Sequence, residues 1–319
     1  MHIGLIGLGK MGGNMRSRLR KNGVEVTGYA RTRDISDVDT IQDLVAALPA
    51  PRTVWVMVPH GQPTDDVINE LKKHLEPGDL IIEGGNSRFS DDIRHAEELA
   101  PLGIGYLDCG VSGGVWGLEN GYGLMVGGPA ELVERAMPIF DALRPEGKRE
   151  EGFVHVGDTG AGHYAKMVHN GIEYGIEQIL AEAYDLMKRV GGLNGDQMAD
   201  VLAGWNDTEE LASFLVEITE VCLRTKDPET GGDLVEAIVD AAGQKGTGLW
   251  TVVSALEMGV PVPTIYAALN ARVLSSLRPE RLSASALLPA PAPHTFSLGS
   301  PEDGMGPLRD ACIAACIVS

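Results

Sequence analysis

The first dozen residues constrain this chain more than any other stretch. Residues 2–8 form a short apolar run with β-branched isoleucines, the composition of a buried strand. The run passes directly into Gly7-Leu8-Gly9-Lys10-Met11-Gly12, and then into a helical pattern through Met15 and Leu19 that stops at Gly23. In a strand, glycine turn and helix joined in this way, each glycine has its own task. Gly7 permits the tight turn, Gly9 lets the backbone approach a pyrophosphate, and Gly12 lets helix and strand pack closely. The helix N-terminus adds amide donors and the positive end of a dipole. Gly7, Gly9, Lys10, Met11 and Gly12 are therefore candidate dinucleotide-binding residues. A lone Gly-x-Gly-x-x-Gly says little. One that follows an N-terminal strand, opens a helix and is succeeded by a second strand points to a doubly wound α/β domain.

The second strand spans 24–29, and its end bears on the choice of dinucleotide. An NAD site wants an acidic residue about 20 positions after the fingerprint, to hold the ribose 2′-hydroxyl. Here the chain reads Ala30-Arg31-Thr32-Arg33. No carboxylate stands there to repel a 2′-phosphate, and two guanidinium groups stand ready to bind one. The segment favours NADP, with NAD possible; as a mere basic surface turn it would carry no preference.

Strands and helices continue to alternate, with strands at 53–58, 80–82 and 105–108 and helices at 64–75 and 91–100. Ligands in such sheets bind beyond the carboxyl ends of the strands. Asn86 and Ser87 lie at one such end, and Gly110-Val111-Ser112-Gly113-Gly114 at another. The second loop is either simply flexible or suited, through its amides and hydroxyl, to a carboxylate or hydroxyl ligand. Beyond residue 160 the strand signals vanish. Helical patterns follow at 161–190, 195–204, 208–225, 232–241, 248–258 and 264–277, with Trp205 and Trp250 expected in the core. Residues 289–307 are proline-rich and irregular, and 305–319 form a last helix. A length of 319 residues fits two domains: a Rossmann-type doubly wound domain over 1–160, then an all-α domain over 161–319.

The helix at 161–190 carries the most chemistry. Apolar residues recur at Val168, Ile172, Ile176, Ile179, Leu180, Ala183 and Met187. Lys166, His169, Asn170, Glu173 and Tyr174 fall on one face beside that stripe. Lys166 and Glu173 are two turns apart, roughly 10 Å along the axis, enough to address two ends of a small substrate. A solvated face would account for a lysine and a glutamate. Histidine, asparagine and tyrosine with so little surplus charge suit the wall of a cleft equally well.

The formal net charge of −19 argues against nucleic-acid and anionic-membrane partners. No run approaches the ~18 apolar residues of a membrane span. No basic segment followed by an apolar one opens the chain. Cys109, Cys222, Cys312 and Cys316 show no Cys-x-x-Cys spacing and read as free thiols in a reducing compartment, with Cys312 and Cys316 sharing a helix face. The eight histidines form no metal-ligand motif, so no metal is expected. A cytoplasmic protein follows.

Taken in order, the glycine fingerprint, Gly84-Gly85-Asn86-Ser87, the Gly110–Gly114 segment, Lys166-Met167-Val168-His169-Asn170-Gly171-Ile172-Glu173-Tyr174, Gln244-Lys245-Gly246-Thr247-Gly248 and Ala271-Arg272-Val273-Leu274-Ser275-Ser276 resemble the decarboxylating 6-phosphogluconate dehydrogenases, of the β-hydroxyacid dehydrogenase superfamily. The resemblance runs to about residue 286. Lys-x-x-His-Asn separates it from hydroxyisobutyrate-type relatives, which carry Lys-x-x-Asn-Asn. It implies that Lys166 is the general base at the C3 hydroxyl and that Glu173 is the acid that protonates C1 of the enediol. Such a lysine needs a pKa lowered toward neutrality. Asn86, Ser112, Gly113, Gly114, His169 and Asn170 would hold the carboxylate and hydroxyls, with Asn86 also at the cofactor. Tyr174, Lys245 and Arg272 would hold the phosphate. The implied partner is a small phosphorylated sugar acid, and the implied assembly a homo-oligomer, dimer or tetramer. Two features depart from the family. Val58-Pro59-His60 stands where a lysine is frequent, and the long members continue past this point with a tail that reaches the partner subunit's site, so the chain reads either as a short form that completes its site differently or as a truncated one; short forms often use NAD, against the reading of Ala30–Arg33. The alternatives are a related β-hydroxyacid dehydrogenase acting on an unphosphorylated acid, against which Lys245 and Arg272 argue, and a nicotinamide-binding protein left inactive by its short tail.

Overall fold

The computed structural model describes residues 1–289, 298–300, 303 and 305–319. The proline-rich stretch read as irregular falls mostly outside them. The chain divides into two compact units, Met1–Val168 and His169–Ser319.

The first unit alternates strands and helices: β1 (His2–Ile6), α1 (Lys10–Lys21), β2 (Glu25–Tyr29), α2 (Ile41–Ala46), β3 (Thr53–Val56), α3 (Gln62–Leu71), β4 (Leu80–Glu83), α4 (Phe89–Leu99), β5 (Gly105–Ser112), α5 (Gly117–Asn120), β6 (Gly123–Gly127), α6 (Ala130–Leu143) and β7 (Phe153–Gly157). The strands form one sheet in the order β2-β1-β3-β4-β5-β6-β7. All neighbours are parallel except β5 and β6. The central strands are buried on both faces, as a parallel sheet covered by helices requires. Alternation then sorts their side chains into two cores. Ile3, Leu5, Trp55, Leu80 and Ile82 pack on one side with Met15, Leu19 and Phe140. Ile6, Val54, Val56 and Ile81 pack on the other with Leu44, Ile68 and Leu71.

The sheet differs from the sequence reading at its second half. β5 does not end at Asp108 but runs to Ser112, so Gly110, Val111 and Ser112 are strand rather than loop. The reason is pairing. β4 accompanies β5 only as far as Asp108, but β6 comes back antiparallel along Asp108–Ser112. β6 and β7 themselves went unread. β6 is three apolar residues between glycines, and β7 is a largely exposed edge strand. The strand read at 53–58 stops at Val56, and the helices read at 64–75 and 91–100 each begin two residues early.

Helix α7 (Ala161–Arg189) is one unbroken helix that runs through the division between the units. Asp108 caps its start: Gly160 N–H donates to Asp108 Oδ1 at 2.7 Å and His163 N–H to Oδ2 at 2.8 Å.

The second unit is helical: the rest of α7, then α8 (Gly195–Asn206), α9 (Phe214–Arg224), α10 (Leu234–Ala237), α11 (Thr247–Glu257), α12 (Pro263–Ser276), α13 (Arg278–Leu287) and α14 (Gly306–Ile317). Asn194 and Gln197 form a reciprocal capping box that starts α8. Ser213 caps α9, which is why that helix begins at Phe214 rather than 208. Ile179, Leu180, Ala183 and Met187 of α7 pack with Met198, Leu202, Trp205, Leu308 and Cys312. Higher on the expected apolar stripe Ile172 is 36% exposed, so the stripe is core only in its later turns. Trp205 is buried as expected, but Trp250 is half-exposed and lies over Gly246. No helix among the described residues is long and apolar enough to cross a membrane.

Candidate active site

The dinucleotide end is built by the turn between β1 and α1. Gly7 has φ +98°, and a Cβ there would lie 2.3 Å from the Met57 carbonyl oxygen. A Cβ on Gly12 would lie 1.9 Å from the Gly7 carbonyl oxygen. No atom lies within 4 Å of the Cβ position of Gly9. Two glycines are thus forced by close packing, and the middle one faces open space. No side chain caps α1 and its first turn holds no acid, so its amides suit a pyrophosphate. These residues fit a dinucleotide. At the end of β2, Arg31, Thr32 and Arg33 are exposed, and Ala30 N–H donates to Ser36 Oγ at 3.0 Å. Asp37 is occupied by Gly28 N–H at 2.7 Å and by Arg20 at 2.7 Å. Arg33 lies 3.8 Å from Asp39, both well exposed. His60 sits in an exposed turn after β3.

The loop after β4 is tightly seated. A Cβ on Gly84 would fall 2.3 Å from the Trp55 indole nitrogen, and one on Gly85 2.6 Å from Glu83 Oε1. Asn86 follows, half-buried. The start of α7 rests on β5 and β6 through glycines. A Cβ on Gly110 would lie 2.3 Å from Lys166 Cβ, and one on Gly162 2.4 Å from the Met125 carbonyl oxygen. This contact sets where Lys166, half-buried, stands above the sheet. Ser112 ends β5, and Gly113 and Gly114 follow it exposed, both with positive φ.

Later turns of α7, within the second unit, bring most of the remaining candidates together. Asn170 Nδ2 donates to Glu173 Oε2 at 2.8 Å, and His169 Nε2 lies 3.4 Å from Glu173 Oε1. The buried Thr247 hydroxyl donates to Asn170 Oδ1. Tyr174 is buried, with the Arg272 guanidinium 3.7 Å from its ring centroid. Arg272 also pairs with Glu177 and donates to the Gly243 carbonyl at 2.9 Å. Lys245 is exposed on the adjoining turn. Thr247 and Glu177 were missed from sequence. Thr247 lies inside the Gln-Lys-Gly-Thr-Gly motif, and Glu177 continues the polar face one turn past Tyr174.

A buried group in the first unit was also missed. Glu83, Asp92 and His163 offer ligand-type atoms within 4.8 Å of one another. His163 Nδ1 donates to Asp92 Oδ2 at 2.8 Å and Nε2 to the Gly85 carbonyl at 3.1 Å. A ring donating from both nitrogens is an imidazolium and has no lone pair for a metal. Burial opposes that charge, but Asp92, Glu83 and Asp108 outweigh it and raise the His163 pKa to about 10. Burial drives the Glu83 carboxyl up to about 7, against the pull of His163.

A glycine turn shaped for a pyrophosphate on a doubly wound sheet, joined to a helical unit through a helix that carries Lys166 and Glu173, defines a dinucleotide-dependent dehydrogenase. Residues 2–146 match the NAD binding domain of 6-phosphogluconate dehydrogenase, and residues 162–319 match the 6-phosphogluconate dehydrogenase C-terminal domain. The chain belongs to the 6-phosphogluconate dehydrogenase family. It is 46% identical over 332 residues to a decarboxylating 6-phosphogluconate dehydrogenase of Synechococcus elongatus, covering 99% of this chain and 70% of that one. Two Bacillus subtilis relatives, one NAD+-dependent and one NADP+-dependent, are each 42% identical over 302 residues, 91% of this chain and 64% of each relative. Overall identity therefore does not discriminate between the dinucleotides. The solved 6-phosphogluconate dehydrogenase of Plasmodium falciparum superposes with a TM-score of 0.88 at 32% identity, over 98% of this chain and 70% of that one.

Proposed function

We propose that the chain oxidises and decarboxylates 6-phospho-D-gluconate to D-ribulose 5-phosphate and carbon dioxide, with reduction of NADP. The observation that carries the reading is the unbroken α7, which carries Lys166, His169, Asn170, Glu173 and Tyr174 within the stretch that matches the 6-phosphogluconate dehydrogenase C-terminal domain. Gly7, Gly9, Lys10, Met11 and Gly12 would hold NADP, with Ala30–Arg33 meeting its 2′-phosphate and Asn86 also binding it, and the bound NADP would supply the hydride acceptor. Lys166 takes the proton from the C3 hydroxyl as C3 becomes a ketone. The ketone accepts the electron pair left as carbon dioxide departs from C2, and Glu173 returns a proton to C1 of the enediol. Asn86, Ser112, Gly113, Gly114, His169 and Asn170 hold the carboxylate and hydroxyls. Asn170, anchored by Thr247 and donating to Glu173, also fixes the acid's orientation. Arg272, stacked on Tyr174, meets the phosphate together with Lys245.

The test is nicotinamide reduction at 340 nm by the purified chain with 6-phosphogluconate, run in parallel with NADP and NAD. Turnover that is faster with NADP is expected. Equal rates with gluconate lacking the phosphate would favour a dehydrogenase for unphosphorylated acids, and cofactor binding without turnover would favour a binding protein. The chain acts in the cytoplasm, a setting that its four free thiols suit. It forms a homo-oligomer, since the helical unit exposes Leu256, Met258, Leu274, Leu287 and Ile317; a monomeric mass by light scattering would overturn that.

A further inference from the structure

Four ionisable groups from four elements of the first unit meet in its interior: Glu83 at the end of β4, Asp92 in α4, Asp108 in β5 and His163 in α7. Buried ion groups are weak stabilisers, and apolar residues commonly replace them without loss. Their value lies in directional bonds, and here those bonds run to two particular backbones. His163 Nε2 donates to the Gly85 carbonyl at 3.1 Å, and Gly85 N–H donates to Glu83 Oε1 at 2.8 Å. That is the loop that continues into Asn86. His163 N–H and Gly160 N–H donate to Asp108, which seats the first turn of α7, the turn that leads into Lys166. Asp92 takes Nδ1 of the same ring at 2.8 Å and is itself held by Tyr106 OH at 2.8 Å. Glu83 Oε2 lies 3.7 Å from Nδ1. One imidazolium therefore joins the backbone before Asn86 to the helix that carries Lys166.

We infer that His163, with Asp92 and Glu83, is a positioning device for the reaction: it fixes the separation of the Asn86 loop and the Lys166 turn. The inference rests on the roles proposed above for Asn86 and Lys166. Around Glu83 and His163 the facing titratable groups are Asp92 from α4 and Tyr106, Asp108 and Cys109 from β5. Glu83 changes charge at about pH 7. The tie to the loop thus varies in strength across neutral pH.

The test uses the full chain with His163→Gln and Glu83→Gln, read by amide hydrogen exchange and by steady-state rates from pH 6 to 9. In His163→Gln, exchange should speed up about tenfold or more at residues 84–87 and 160–166 together, with β1 and α1 unchanged. The kcat should fall about 10- to 100-fold, as a misplacement of about 1 Å demands, with KM for NADP within about twofold. In Glu83→Gln the change in amide protection at residues 84–87 across pH 7 should disappear, which a merely structural role would not produce. Loosening confined to one segment, loosening spread evenly over the unit, or an unchanged pH profile would each overturn the inference. Exchange needs no turnover. An inactive wild type would sink the functional reading alone and leave the exchange data to judge the coupling. Should His163→Gln not fold, Glu83→Gln carries both measurements.

Discussion

Replacing Gly110 by alanine tests whether the seat of α7 on the sheet sets the rate. The added Cβ would lie 2.3 Å from Lys166 Cβ, 2.8 Å from its Cγ and 3.0 Å from the Gly162 carbonyl oxygen. Carbon atoms rest about 3.5–4.0 Å apart, so β5 and α7 must separate by more than about 1 Å. No flexible side-chain tip is available to move instead. Lys166 Cβ is fixed to the helix backbone, and Asp108, two residues before Gly110, holds the same helix through Gly160 and His163. Overpacking of this kind costs about 1–3 kcal/mol, which lowers Tm by about 2–12 °C in a unit of this size. The displacement carries Lys166 with it. A reacting group misplaced by about 1 Å loses on the order of 100-fold in rate, or about 2.7 kcal/mol of barrier. The assay pairs a thermal melt with kcat at saturating 6-phosphogluconate and NADP. Gly123→Ala in neighbouring β6 is the control, because its Cβ would meet nothing closer than Ser112 Cβ at 3.8 Å; it should change stability by less than about 0.5 kcal/mol. A folded Gly110→Ala with wild-type kcat would refute the link between the seat and the rate. An unchanged Tm would refute the close approach itself.

Lys166→Ala should lower kcat by about 10²–10⁴-fold and leave the NADP dissociation constant within about twofold; parallel loss of both would contradict its role as base. Arg31→Ala removes a charged partner worth about 1.5–3 kcal/mol, so KM for NADP should rise about tenfold or more while that for NAD holds. An unchanged ratio would place the 2′-phosphate elsewhere. Arg272→Ala should raise KM for 6-phosphogluconate about tenfold or more. A wild-type KM would restrict Arg272 to bracing Tyr174 and Glu177. Stability should depend on pH through the buried group. The His163 pKa is raised in the folded state from 6.5 to about 10. Its contribution is complete below pH 6.5 and is lost as pH climbs through 10, an upper limit of about 5 kcal/mol. Glu83, raised from 4.5 to about 7, loses its contribution across that lower window. Wild-type Tm should therefore fall from pH 7 to 10, and His163→Gln should flatten that limb; a level wild-type curve would remove the imidazolium from the interior.

What could be read from sequence was what neighbouring residues determine. Strand, glycine turn and helix are contiguous at Ile6–Gly12, so tasks could be assigned to Gly7, Gly9 and Gly12, and the packing distances at Gly7 and Gly12 agree with theirs. The polar face of α7 is likewise local, a matter of helical period. The second half of the sheet is not local. Residues 123–127 look like one more glycine-rich loop until β5 pairs with them, and Gly110 looks like loop flexibility until Lys166, 56 positions later, lies against it. Asp92 and His163 are 71 positions apart. Each alone reads as an ordinary surface group, because a charge in a sequence carries no mark of burial; only the opposite charge brought to it by the fold makes it tolerable inside.

The same argument explains which members of the α7 face were found. Lys166, His169, Asn170, Glu173 and Tyr174 were grouped by period, yet His163 stands one turn before Lys166 and Glu177 one turn after Glu173 on that same face. Period alone would have admitted both. The structure separates them by what they touch. His163 spends both ring nitrogens on Asp92 and Gly85, and Glu177 spends a carboxylate oxygen on Arg272. A ring so committed has no bond left to offer a substrate, but it fixes the places of groups that do, and Glu177 braces Arg272 in the same way while keeping part of its carboxylate open. A helix face that meets a ligand therefore extends a turn at each end into residues that meet the protein. Mutating those ends should alter kcat and its pH dependence more than substrate affinity wherever, as at His163, the committed group anchors backbone rather than a ligand-facing side chain.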